Sequence, residues 1–238
     1  MLRSQIDPTE ATTLAPFRAA LFARPYKDGG ASGDRVALHV EGARALFLVA
    51  DAAGHGERGE AFWDRHQAIV MGAWQELLES AGTLPDLRGL GATLNAALHE
   101  AGDHLCLSVG VLEANGVLRF ANFGYGTHVL PVTTEGSWWR EDPAELFGLK
   151  LGWLPSPAWN KNPRAFVGHE LSDTKSLVSL SDAFLGDDHR DPIATLESLP
   201  RLSGACAGLA PAAAVEEARR LPHDDDDATV LALVLDRE

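Results

Sequence analysis

Basic residues are in short supply in this chain. Twenty Lys and Arg stand against 34 Asp and Glu, a formal net charge of -14. That balance argues against a nucleic-acid surface, since binding the phosphate backbone needs a basic face. Cysteine is scarcer still. Cys106 and Cys206 are the only two, so nothing demands a disulfide, and no Cys and His spacing suits zinc. Cys106 lies in an apolar run and reads as a buried thiol. No apolar run is long enough to cross a bilayer, and Met1 to Asp7 lacks the apolar core of a secretion signal. Low-complexity tracts are also missing, and charged residues make up 23%, which excludes wholesale disorder. The expectation is a soluble, cytoplasmic protein without a membrane or nucleic-acid partner. At 238 residues and 45% hydrophobic content, it can build a substantial core.

What is present is organised around residues 44 to 56. Ala45 to Ala50 is a continuous apolar run ending on Asp51, followed by Ala52, Ala53, Gly54, His55 and Gly56. An uncharged run of this length predicts a strand buried on both faces. The small residues after it predict a tight turn that can approach a ligand closely. A carboxylate at the end of such a strand can serve as a metal ligand or simply cap the helix that follows.

Two further acids occupy similar positions. Leu177-Val178-Ser179-Leu180 predicts a strand running into Ser181-Asp182, and Asp224 to Asp227 leads directly into the apolar strand Ala228 to Leu235. An acidic run is ordinarily a solvated loop. This one abuts a buried strand, so at least one carboxylate must lie where the sheet begins. Three strand-associated acids suit a hard cation such as Mg²⁺ or Mn²⁺, and a bridging carboxylate can hold two ions.

The remaining pattern is mixed. Leu14 to Phe22 reads as strand or short helix. Asp34 opens an alternating stretch, Arg35 to Val40, joined to the next strand by Glu41-Gly42, which predicts an antiparallel hairpin. Whether Asp34 faces Asp51 is not decided by pattern. Residues 61–80 and 86–101 carry helical periodicity, with Gly82 to Pro85 between them. His104 to Leu112, Val117 to Ala121 and Thr127 to Val132 predict strands, with a hairpin at Asn115-Gly116 and a bend at Asn122 to Gly126. Residues 133–170 hold four tryptophans and little periodicity, and read as a loop-rich flap linked to substrate access. Helices are expected around 192–199 and 211–220.

Four segments together resemble the metal-dependent PPM (protein phosphatase 2C) family, most closely its bacterial SpoIIE-type branch. They are Leu48-Val-Ala-Asp-Ala-Ala-Gly-His-Gly56, Leu118-Arg-Phe-Ala-Asn-Phe-Gly124, Leu177-Val-Ser-Leu-Ser-Asp-Ala183 and Asp226-Asp-Ala-Thr-Val-Leu231. Ser32-Gly33-Asp34 is similar to the family's Gly-Gly-Asp. The order is the family's, and the resemblance covers about residues 30 to 235.

That resemblance implies an α+β fold, an αββα four-layer sandwich of two antiparallel sheets flanked by helices, in a single domain over 1–238. It also implies two Mn²⁺ or Mg²⁺ ions, with Asp51 bridging them, the Ala52 carbonyl binding one, and Asp182 and Asp226 completing the set. Asp34 matches an acid near a third, weaker ion. His55 is a candidate proton donor to the leaving oxygen, with an ordinary loop histidine as the alternative. The implied activity is hydrolysis of phosphoserine or phosphothreonine.

With no length left for a sensor or transmembrane module, the chain resembles stand-alone regulators acting on anti-anti-sigma (STAS-type) proteins in stress-response signal transduction. It departs from the family at Asp182-Ala183, where Asp-Gly is usual, and at Asn122-Phe123-Gly124-Tyr125, where Asn-Ala-Gly-His is usual. Competing readings are a non-catalytic phosphoprotein-binding regulator, a small-molecule phosphatase and a calcium-binding structural domain. The last is disfavoured because its acids would gather at short spacing.

Overall fold

A computed structural model describes residues 12–25, 30–79, 86–138, 142–184, 192–220 and 226–236. The proposed break at Gly82 to Pro85, Trp139, and the acids Asp224 and Asp225 lie outside the described residues. Among those described, the strands form two antiparallel sheets.

The first sheet contains β3 (Asp34–Glu41), β4 (Arg44–Ala52), β5 (Leu105–Glu113), β6 (Leu118–Phe123) and β9 (Gly168–Leu171), in the order β3-β4-β5-β6-β9. The second contains β1 (Thr12–Leu14), β2 (Phe17–Arg24), β7 (Thr127–Thr133), β8 (Gly136–Ser137), β10 (Thr174–Ser181) and β11 (Ala228–Leu235), in the order β1-β2-β11-β10-β7-β8. The undecided segment near the N-terminus is therefore strand, and β2 pairs with β11 along its whole length.

Side-chain alternation explains the layering. On β4, Leu46, Leu48, Ala50 and Ala52 pack with helices α1 (Glu57–Glu79) and α2 (Leu87–Ala101). The intervening Ala45, Phe47 and Val49 face the other way, against Leu177, Leu231 and Leu233 of the second sheet. The opposite face of that sheet, including Val178, Leu180, Val230 and Ala232, packs on α5 (Pro192–Cys206) and α6 (Pro211–Arg220). A strand with a core on each side has to be apolar throughout, as β4 is. The result is helix, sheet, sheet, helix: the αββα sandwich.

Three element boundaries differ from expectation. Helix α1 starts at Glu57, four residues before its apolar period becomes visible, because its first turn is polar and its acids Glu57 and Glu60 favour the helix N-terminus. Helix α5 continues to Cys206 through Pro200, which the pattern treats as a stop. Asn122 and Phe123 belong to β6, leaving Gly124 to Gly126 as the bend.

The stretch from 142 to 166 is tied to the first sheet. It contains α3 (Pro143–Leu146) and α4 (Ser156–Lys161), and its Leu151, Trp159 and Ala165 are buried in the helix-side core. Backbone bonds couple Leu151 with Leu105 in both directions (3.0 and 3.1 Å) and Gly148 with Asn122 and Gly124 (2.7 and 3.1 Å). Among the described residues no helix is long and apolar enough to cross a membrane.

His128 on β7 has a measurable consequence. It is 1% exposed, with Phe147 edge-on at 5.1 Å, and neither ring nitrogen has a hydrogen-bond partner. Burial pushes its pKa down from 6.5 to about 3. Between those values the unfolded chain binds the proton that the folded one refuses. Its contribution is thus intact above pH 6.5 and is lost as pH falls toward 3. His128→Phe should reduce the acid-side slope of stability by up to ~1.4 kcal/mol per pH unit. Urea unfolding between pH 7 and 4 measures this, and equal slopes in both proteins would refute it.

Candidate functional site

The hairpin register resolves the question that the pattern leaves open. Asp34 on β3 lies directly opposite Asp51 on β4, so the two carboxylates leave the same face of the sheet. Both share parity with Val36 and Val49, which face the second sheet. They therefore emerge at one end of the layer between the sheets. The second sheet contributes to the same end, because β10 ends at Ser181-Asp182 and Asp226-Asp227 enters β11.

The acids at this end are near enough to act on one another electrostatically. Burial holds the Asp51 carboxyl well above the ordinary carboxylate range, and Asp182, Asp34, Asp226 and Asp227 all push it further. Asp34 is 2% exposed. Burial raises its pKa well above the usual range; the Ser181 hydroxyl opposes that shift, and Asp227 and Asp182 add to it. Its Oδ2 has no hydrogen-bond partner. A buried, unpartnered carboxylate oxygen beside several other acids is unfavourable unless a cation is supplied.

The donor set therefore fits hard divalent cations, which take carboxylate and carbonyl oxygens. Asp51, Asp182 and Asp226 are the side chains that would hold them, with Asp34 behind. Among the described residues, no three His, Cys, Asp or Glu side chains converge as a ready-made metal cluster. Like charges without a counter-ion have no reason to draw inward.

Asp227 is the residue that sequence reasoning passes over. It is 3% exposed, and its Oδ2 accepts a hydrogen bond from Gly33 N at 2.5 Å. The Gly33 carbonyl in turn accepts bonds from Trp63 Nε1 (2.6 Å) and Ala52 N (3.2 Å). These bonds brace the turn carrying Asp34 against the strand end carrying Asp51 and Ala52. Four consecutive aspartates give no way to choose among them by type. Counting back in twos from Leu231, which faces the first sheet, reaches Thr229 and then Asp227. That parity was the available signal.

Asn122 is a second brace. Ser108 Oγ donates to Asn122 Oδ1 (2.8 Å) and shares a hydroxyl bond with Thr127 Oγ1 (2.9 Å), all three being buried. The Asn122 carbonyl accepts from Gly148 N. Ala183, where a glycine is usual, is buried against the α5 and α6 side. His55 is exposed on the turn after Asp51.

A cleft of about 490 Å³ opens over the acids, with Asp51, Asp182, Cys106, Tyr125, Lys150 and Arg164 among its lining residues. Burial pushes the Cys106 thiol up to about 12, with Asp51 adding to the shift. The thiol therefore remains protonated at neutral pH.

Compared by sequence, the chain matches no family model and no curated protein. Compared by structure, it is similar to the PP2C phosphatase domain of SpoIIE from Bacillus subtilis, solved with a fragment of its regulatory domain. The TM-score is 0.65 at 15% identity, covering 93% of this chain and 64% of that one. The RsbU and RsbW domains of Rv1364c from Mycobacterium tuberculosis match with a TM-score of 0.62 at 17% identity, over 92% of this chain and 61% of that one. The catalytic domain of the serine/threonine phosphatase PstP, in complex with two manganese ions, matches with a TM-score of 0.58 at 15% identity, over 92% and 97%. The chain thus spans under two thirds of the first two structures' length. What is shared at these identities is the fold, which is that of PP2C phosphatase domains.

Proposed function

We propose that this chain is a metal-dependent phosphoprotein phosphatase that hydrolyses phosphoserine and phosphothreonine. The observation carrying the proposal is the gathering of acids at one end of the sandwich: Asp34 opposite Asp51, with Asp182 and Asp226 at the ends of β10 and β11, beside an open cleft that Asp51 and Asp182 line. This gathering occurs in a fold shared with PP2C phosphatases. In hydrolysis a water oxygen bonds to phosphorus, the P–O bond to the serine or threonine breaks, and the leaving oxygen takes a proton.

Bound Mn²⁺ or Mg²⁺ would supply an acidified water and neutralise phosphoryl charge. The chain's own contribution is placement. Asp51, the Ala52 carbonyl, Asp182 and Asp226 would hold two ions, with Asp34 reserved for a third. Asp227 and Trp63 keep the Gly33 turn, and with it Asp34, in position. His55, close after Asp51 in an exposed turn, is the candidate proton donor to the leaving oxygen.

The substrate we favour is a phosphorylated STAS-type anti-anti-sigma protein in a cytoplasmic stress-response pathway. Likeness to a polypeptide carrying RsbU and RsbW domains supports this choice. A net charge of -14 disfavours nucleic acid as the partner. The alternative reading is a non-catalytic phosphoprotein-binding regulator of the same fold.

The deciding experiment is hydrolysis of p-nitrophenyl phosphate by chelator-stripped protein, with Mn²⁺ or Mg²⁺ then restored. Turnover that appears only with metal is expected. A folded protein that remains inactive with both ions would leave the binding regulator as the better reading.

A further inference from the structure

The cleft is lined by cations as well as by acids. Lys150 and Arg164 share it with Asp51 and Asp182. In a chain so short of positive charge, two cations facing one cavity call for an explanation. Among the described residues neither side chain forms an ion pair.

Their placement is rigid where it matters. Lys150 lies between Gly148 and Leu151, whose backbones are bonded to β6 and β5. The adjoining Leu149 N donates to the Arg164 carbonyl at 3.0 Å, so the two cationic residues are held on neighbouring strands of one loop. Gly124 lets this segment approach closely, because a Cβ there would come 3.2 Å from Lys150 Cβ and 2.6 Å from Cys106 Sγ. Cys106 is the cross-strand partner of Asp51, so the Lys150 backbone lies close to the residue pair that carries Asp51. At the mouth, Lys150 Nζ lies 5.2 Å from the ring centroid of Trp153. Trp153 is 56% exposed, unusual for so large an apolar side chain.

We infer that Lys150 and Arg164 form the anion-recognition wall of the cleft and select phosphoserine flanked by an acidic side chain. This inference rests on the phosphatase reading above. Lys150, half-buried, holds a phosphoryl oxygen of the substrate that the metal site does not contact. Arg164, exposed farther out, pairs with a carboxylate next to the phosphorylated residue. Trp153 is a positioning residue that keeps the Lys150 ammonium directed along the wall. Phosphate and carboxylate are the anions that Lys and Arg recognise through charge-assisted hydrogen bonds.

The test uses two labelled phosphoserine peptides, one with flanking Glu and one with flanking Ala, plus the unphosphorylated Glu peptide. Lys150→Met should raise KM for both phosphopeptides about tenfold, as loss of one charge-assisted bond implies, with kcat held within about threefold. Arg164→Met should raise KM only for the Glu-flanked peptide. An unchanged KM in Lys150→Met, or a fall in kcat alone, overturns the assignment.

Fluorescence anisotropy in the Asp226→Ala background separates the two readings. If the wild type shows no metal-dependent turnover, the phosphatase reading fails by itself. The wall is then judged by binding: phosphopeptide affinity lost in Lys150→Met, with the unphosphorylated peptide unaffected, supports it, and equal affinity overturns it.

Discussion

Replacing Asp51 by asparagine should abolish phosphate-ester hydrolysis and, in metal-free protein, raise the melting temperature. The two effects share one cause. Asp51 is the group on which Asp34, Asp182, Asp226 and Asp227 all bear. Its pKa in the folded protein is raised, so the folded state binds more protons than the unfolded chain above the ordinary carboxylate range. Stability from this group is therefore greatest at low pH and declines as pH rises through that window. At neutral pH, without a cation, a buried charge among like charges works against folding. Asparagine keeps the shape and removes the charge.

An increase of several degrees is expected, since ~1 kcal/mol moves the midpoint of a domain this size by ~2–4 °C. Adding Mn²⁺ should reverse the ranking, because only the wild type binds it well and a ligand at a hundred times its Kd contributes ~2.7 kcal/mol. Turnover should fall by ~10³-fold or more, the effect of losing several kcal/mol of charge stabilisation. Melting curves with chelator and with Mn²⁺, beside kinetics, test both parts. A metal-free Asp51→Asn that melts below wild type would contradict the electrostatic account, and retained turnover would remove Asp51 from the site.

Such a trade between stability and function also explains what could be read from the sequence. The apolar strands were legible because each has a core on both faces, and the two sheets follow from them. Asp51 and Asp182 were legible as acids at strand ends, a position where burial without function is unfavourable; of Asp224 to Asp227 the pattern required only that one lie there, and the choice of Asp226 came from the family resemblance. The pairing of Asp34 with Asp51 was not, since it depends on hairpin register, and a slip of one residue would turn Asp34 to the other face.

The segment from 142 to 166 was obscure for a different reason. Leu151, Trp159 and Ala165 each enter the core from an irregular backbone, so no period links them, and nothing local marks Lys150 as part of a wall. Pro200 misled for a third reason. Local propensity argues for a stop there, while α5 continues on to Leu202 and Cys206, both buried against the second sheet.

Gly126→Ala should disable the site through a single methyl group. Gly126 lies in the bend between β6 and β7, and its carbonyl accepts the Asp182 N–H at 2.9 Å. A Cβ built there overlaps Asp51 Oδ2, and it lies 2.8 Å from Cys106 Cβ and 3.0 Å from Cys106 Sγ. Cys106 Cβ belongs to a central strand and cannot retreat far, so the Asp51 carboxylate must turn away. Overpacking of this kind destabilises by ~1–3 kcal/mol. Misplacing a reacting group by ~1 Å lowers turnover by ~10²-fold. Loss of activity should therefore exceed what the fraction of unfolded protein explains.

Gly72→Ala, at an exposed position of α1, is the control. A Cβ there meets nothing within 4 Å, and alanine in a helix interior should stabilise by ~0.5–1 kcal/mol with turnover unchanged. Mn²⁺ titration followed by melting temperature completes the comparison. Gly126→Ala should fold cooperatively yet gain little from the ion, while Gly72→Ala should gain as much as wild type. If Gly126→Ala keeps both its metal response and its turnover, the close approach of this bend to Asp51 has no role in the chemistry.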